Sequence, residues 1–173
     1  MIDSTILGLS EAVGKVLHQK GLLLSCAESC TGGLVAAAIT AVSGSSAWFD
    51  RGFVTYSNQA KADHLGVSLQ TLQDYGAVSP ETAAAMACGV LQASLSSSIA
   101  LSTTGIAGPS GATPGKPVGM VCFGVAWRSP HGVAHETFTQ YFAGDRSEVR
   151  MASVQFALQA AIQTTRQRFG EPR

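Results

Sequence analysis

The sequence predicts an α/β domain, a mixed β-sheet flanked by helices and forming a single compact unit over residues 1–173. Three observations carry that expectation. Short apolar runs (LLLSCA at 22–27, GFVTYS at 52–57, SIALSTTG at 98–105) are separated by stretches with helical periodicity, as in βαβ units. Two later runs, MVCFGVAW (120–127) and VAHETFTQYFA (133–143), flank SPHG and read as a hairpin, which adds antiparallel strands to the sheet. Finally, 173 residues suit one domain, and no repeat or low-complexity linker divides them.

Each element has a local cause. Ser4 is placed to cap a first helix, whose stripe of Ile6, Leu7, Leu9, Val13, Val16 and Leu17 stops at Gly21. LLLSCA reads as a buried strand running into the turn ESCTGG (28–33), and GLVAAAITAV continues as an apolar helix. GFVTYS is the second strand, followed by a short helix over residues 60–65. Ser79-Pro80-Glu81 opens a further helix with a serine cap, a proline at the first helical position and an acid in the first turn. SIALSTTG ends in the loop GIAGPSGATPGKPVG, and after the hairpin Asp145 caps a last helix to Phe169.

Composition excludes several classes. Eleven basic residues balance eleven acidic ones, whereas nucleic-acid binders carry a basic excess, so no nucleic-acid partner is expected. Charged residues make up 13%, about half the ~25% of ordinary domains. A surface so poor in charge suits coverage by a second copy, and a homodimer is expected. No run of ~18 apolar residues is present, which argues against a membrane helix. Asp3 and Glu11 stand where a signal peptide would be basic and then apolar, so the expected location is the cytoplasm. There, Cys26, Cys30, Cys88 and Cys122 would be reduced and mostly buried.

Two glycine-bearing turns, AESCTGG and STTGIAGPSG, follow two buried strands, and α/β domains bind ligands at such strand ends. Backbone N–H groups around Thr31, Gly32 and Gly33, or around Thr104 and Gly105, could hold a phosphate or an oxyanion. Neither turn has the Walker spacing or Gly-x-Gly-x-x-Gly, so nucleoside triphosphate and dinucleotide cofactors are poorly supported. Ser29 is a candidate nucleophile at the strand-to-helix elbow, although on spacing alone a serine there is more often a cap. Cys30 is its rival, because a thiolate at a helix N-terminus has a lowered pKa. The four histidines are scattered and form no ligand pattern, so no metal is expected. The base would then be Lys61, five residues after Tyr56, and it could serve only if burial lowered its pKa. Spacing alone favours a solvated surface lysine.

Five blocks in order add a resemblance: AESCTGG, GFVTYSNQAK (52–61), GAVSPETA (76–83), TTGIAGPSG with KPVG (103–119), and GDR (144–146). Together they resemble the nicotinamide-nucleotide amidase family, the CinA C-terminal domain, over nearly the whole chain and at the length of the stand-alone form. The resemblance implies an α/β fold and hydrolysis of nicotinamide mononucleotide (NMN) to nicotinic acid mononucleotide and ammonia, with no cofactor. It implies catalytic roles for Ser29, Tyr56 and Lys61. It also implies substrate contacts at Glu28, Thr31, Gly32, Gly33, Thr104, Gly105 and Arg146, the last with the phosphate. The alternative is a catalytically inactive nucleotide-binding homologue of the same fold. One departure is Ala112, where the family more often has glycine; a small shift of the loop tip is expected.

Overall fold

A computed structural model describes residues 2–170. Its five strands are β1 (Leu24–Glu28), β2 (Phe49–Val54), β3 (Ile99–Gly105), β4 (Met120–Ser129) and β5 (Gly132–Tyr141). They form one sheet in the order β2-β1-β3-β4-β5. β1 runs parallel to both neighbours, while β4 is antiparallel to β3 and β5. The mixed sheet and the hairpin are therefore as the sequence predicts.

Six helices cover it: α1 (Ser4–Gln19), α2 (Leu34–Thr40), α3 (Asn58–Leu65), α4 (Leu69–Tyr75), α5 (Pro80–Ala93) and α6 (Arg146–Phe169). The strands sort their side chains by alternation. Leu24, Cys26, Ile99, Leu101, Val121, Phe123 and Val125 face the larger core with α1, α2 and α6. There Phe123 packs against Phe156 of α6 with ring centroids 4.6 Å apart. The small residues Ala27, Ala100 and Ala126 face α5 and the α3–α4 segment. With little side-chain bulk between them, α5 lies close enough for Ser102 Oγ to donate to the Ala83 carbonyl at 2.6 Å.

Several boundaries differ from expectation. Asp3, not Ser4, caps α1 by accepting from the Ile6 amide at 2.8 Å; both residues suit the position, and the carboxylate takes it. The second strand lies earlier than GFVTYS, because Thr55–Ser57 lead the chain out to α3, where Ser57 is the cap. α4 is not among the elements the sequence predicts. Its signal was Ser68, whose hydroxyl accepts from the Thr71 amide at 3.0 Å, but seven residues are too few to establish a period. Cys88 is only half-buried, and all four cysteines are free.

Candidate active site

The parallel strands β1 and β3 end side by side, and the segments that follow them make one cleft. Ser29, Cys30, Tyr56, Lys61, Ala77, Val78, Thr104, Gly105, Ala107 and Arg146 line a cavity of ≈ 260 Å³. A second cavity of ≈ 630 Å³ adjoins it, shares Ala107 and Arg146, and has apolar walls at Pro109 and Val118. This is the strand-end position that glycine turns mark in α/β domains.

Ser29 follows β1 directly, and its amide donates to the Thr103 carbonyl at 2.9 Å, which ties it to β3. Lys61 comes from the opposite wall. Only 1% of its surface is exposed, and Nζ lies 3.0 Å from Ser29 Oγ. The ammonium also donates to the carbonyls of Thr55, at 2.9 Å, and Tyr56, at 3.4 Å. Burial pulls its pKa below the ordinary 10.5, against a smaller upward influence from Cys30. The solvated lysine that spacing favours is thus replaced by a buried one. The reason is tertiary: α3 turns this residue under the Thr55 carbonyl.

Cys30 loses its claim on electrostatic grounds. Burial pushes its thiol up to about 12, so it stays protonated near neutral pH although it lies in the turn before α2. Tyr56 is 61% exposed, and its hydroxyl accepts from Arg146 at 3.0 Å. Its contact with Lys61 is through the main-chain carbonyl. Arg146 also donates to the Gly108 carbonyl at 2.9 Å, so its guanidinium spans the two loops at the junction of the cavities.

Glu28 and Thr31 lie outside the cleft lining. Glu28 is 1% exposed, and its carboxylate accepts from the amides of Gly33 (3.1 Å), Val35 (3.0 Å) and Ala36 (2.9 Å) and from Thr31 Oγ1 (2.5 Å). Gly32 and Gly33 take left-handed backbone, φ +58° and +102°, which reverses the chain tightly into α2. Their amides are engaged by the Ser29 carbonyl and by Glu28, so neither is free for an oxyanion. At the other turn, Thr104 donates to the Ala77 carbonyl at 2.6 Å. The Ile106 amide bonds Met120, so by ladder alternation the Gly105 N–H faces the end of β1. A Cβ on Gly105 would come within 2.6 Å of Val121 and 2.8 Å of the Met120 carbonyl.

Sequence reasoning missed Arg150, whose guanidinium holds the Ser29 turn through the carbonyls of Cys30 (3.1 Å) and Thr31 (3.2 Å). Its signal was present: it lies one helical turn after Arg146, on the same face of α6. Ala77 and Val78, which close the cleft from the α4–α5 connection, were also missed, although they lie in the block GAVSPETA. No cluster of three metal-ligating side chains occurs among the described residues.

The CinA C-terminal domain family matches residues 7–165. The chain belongs to that family. It is 51% identical over 162 residues to a protein of Enterobacter agglomerans named nicotinamide-nucleotide amidohydrolase PncC, covering 94% of this chain and 96% of that one. The protein of the same name from Escherichia coli K12 is 48% identical over 163 residues, with the same coverage. A putative competence-damage inducible protein of Caldicellulosiruptor saccharolyticus is 52% identical over 156 residues, but these make up only 37% of its length. Among solved structures, the competence/damage inducible protein CihA of Agrobacterium tumefaciens superposes with a TM-score of 0.87. It is 44% identical, over 94% of this chain and 97% of that one.

Proposed function

We propose that this protein is a nicotinamide-nucleotide amidohydrolase, converting NMN and water to nicotinic acid mononucleotide and ammonia in the recycling of pyridine nucleotides. The observation that carries the reading is the buried Lys61 amine, 3.0 Å from Ser29 Oγ, with its pKa lowered by burial. Full-length similarity to two proteins named for this activity supports it.

In this reading neutral Lys61 takes the Ser29 proton as Oγ attacks the carboxamide carbon. The developing oxyanion falls to backbone N–H groups, of which Gly105 faces the end of β1. Lys61 then gives its proton to the departing nitrogen, and ammonia leaves an acyl-serine. A water, deprotonated by the same amine, cleaves that ester and restores Ser29. The smaller cavity receives the nicotinamide ring. Arg146, at its junction with the larger one, meets the phosphate, exchanging its uncharged partners for a charged one. Tyr56 acts in this scheme by holding Arg146, and through its carbonyl by holding Lys61.

The scheme requires no metal or cofactor. No described helix is long and apolar enough to cross a membrane; a cytoplasmic homodimer without a nucleic-acid partner completes the proposal. The test is ammonia release from NMN, with Ser29→Ala as the blank. Calorimetric binding of NMN without ammonia at high enzyme concentration would replace the amidase with a nucleotide-binding homologue.

A further inference from the structure

We infer that Glu28 is a positioning residue for Ser29, acting on the reaction without touching substrate. The inference rests on the amidase reading for its kinetic arm only. Five donors converge on this buried carboxylate: Ala36 N and the Cys26 thiol, at 3.9 Å, on Oε1, and Gly33 N, Val35 N and Thr31 Oγ1 on Oε2. An ionised carboxylate is acceptor-only, and its two oxygens have room for the four N–H and O–H donors beside the weak thiol. Since the Thr31 hydroxyl proton goes to Glu28, the Thr103 hydroxyl donates to Thr31 at 2.7 Å. That chain crosses from β1 to β3 beside the bond from Ser29 N to the Thr103 carbonyl.

The main chain completes the frame. The Glu28 carbonyl accepts from Thr55 N at 2.9 Å, and the Thr55 carbonyl accepts from Lys61 Nζ. Glu28 therefore holds the turn that carries the nucleophile by its side chain. Its carbonyl holds the segment that carries the base. Serine and lysine face each other because both are hung from one residue. The carboxylate also occupies the amides of Gly33, Val35 and Ala36 at the start of α2, so these are not open to an anionic ligand.

Glu28→Gln tests this, because the amide offers one acceptor oxygen and turns an NH₂ toward donors. The expected result is a kcat lowered about 30-fold or more with KM within about threefold, since a misaimed nucleophile loses rate, not binding. Thr31→Val removes the hydroxyl donor and should lower kcat several-fold, again with KM held. A second readout uses no NMN: the rate at which a fluorophosphonate phosphonylates Ser29, releasing fluoride, followed by intact mass with Ser29→Ala as the blank. That rate should fall in both variants alongside kcat. A raised KM with kcat kept would overturn the inference and put Glu28 in contact with substrate. Unchanged kcat and labelling would overturn it too, leaving the carboxylate a fold element alone. If Glu28→Gln shows no cooperative melt, Thr31→Val decides by the same measures. If the wild type releases no ammonia, the amidase reading falls, and labelling alone decides the role of Glu28.

Discussion

The two glycine turns at the ends of β1 and β3 look alike in the sequence and do different work in the structure. The turn after β1 is closed on itself: Glu28 takes the amides at the start of α2, Gly32 bonds Ser29, and Arg150 holds two of its carbonyls. The turn after β3 is open. Residues 109–115 are exposed, and it lends Ala107, Pro109 and Val118 to the cavity walls and the Gly108 carbonyl to Arg146. A nucleophile has to be aimed within tenths of an ångström, and a saturated turn supplies that rigidity. A substrate has to enter, and an exposed loop admits it. In the proposed reading the nucleophile belongs to the first turn, and substrate recognition falls mainly to the second.

The largest effects expected fall on the first side. Ser29→Ala should lower ammonia release at least ~10³-fold while NMN binding by calorimetry stays within about tenfold. Cys30→Ala should keep most of the activity, because its protonated thiol is outside the reaction path. An inactive Cys30→Ala beside an active Ser29→Ala would reverse the assignment.

Lys61 sharpens the same side. Arginine keeps a positive charge but cannot deprotonate near neutral pH, since its pKa exceeds ~12. Lys61→Arg should therefore be about as inactive as Lys61→Ala, by ~10²-fold or more. In the wild type, kcat should rise with pH as the amine loses its proton. Because burial lowers the pKa, that limb lies below 10.5. An active Lys61→Arg with an unchanged limb would move the base to Tyr56.

On the second side the damage should appear in KM. Arg146→Ala removes the guanidinium at the junction of the cavities, and steady-state kinetics should show KM raised ~10–100-fold, in line with about 1.5–3 kcal/mol for a charged hydrogen bond, with kcat little changed. A fall in kcat alone would break the division of labour between the turns. The smallest effect belongs to the loop tip, where Ala112 is exposed beside the Thr113–Lys116 bridge. Ala112→Gly should change kcat and KM by no more than about twofold, as surface substitutions do.

The sequence by itself determined the α/β class, the hairpin, the capped starts of α5 and α6, and the strand-end location of the cleft. Those features follow from alternation, periodicity and local turn chemistry, which act within a few residues. The five ordered blocks further identified the family, and they pointed to Ser29 and Lys61 as candidates. Only the tertiary structure decided that Lys61 is buried against Ser29, 32 residues away in the chain. It alone turned Glu28 inward, away from the cleft, and buried the Cys30 thiol so that its pKa rises. The same holds for α4, too short to show a period, and for Arg150, whose carbonyl partners lie 119 and 120 residues away. The physical reason is common to all of these: burial and hydrogen-bond partnership depend on which strands lie side by side. Nothing in the local spacing of a lysine, a carboxylate or a thiol encodes the neighbour that will remove it from water.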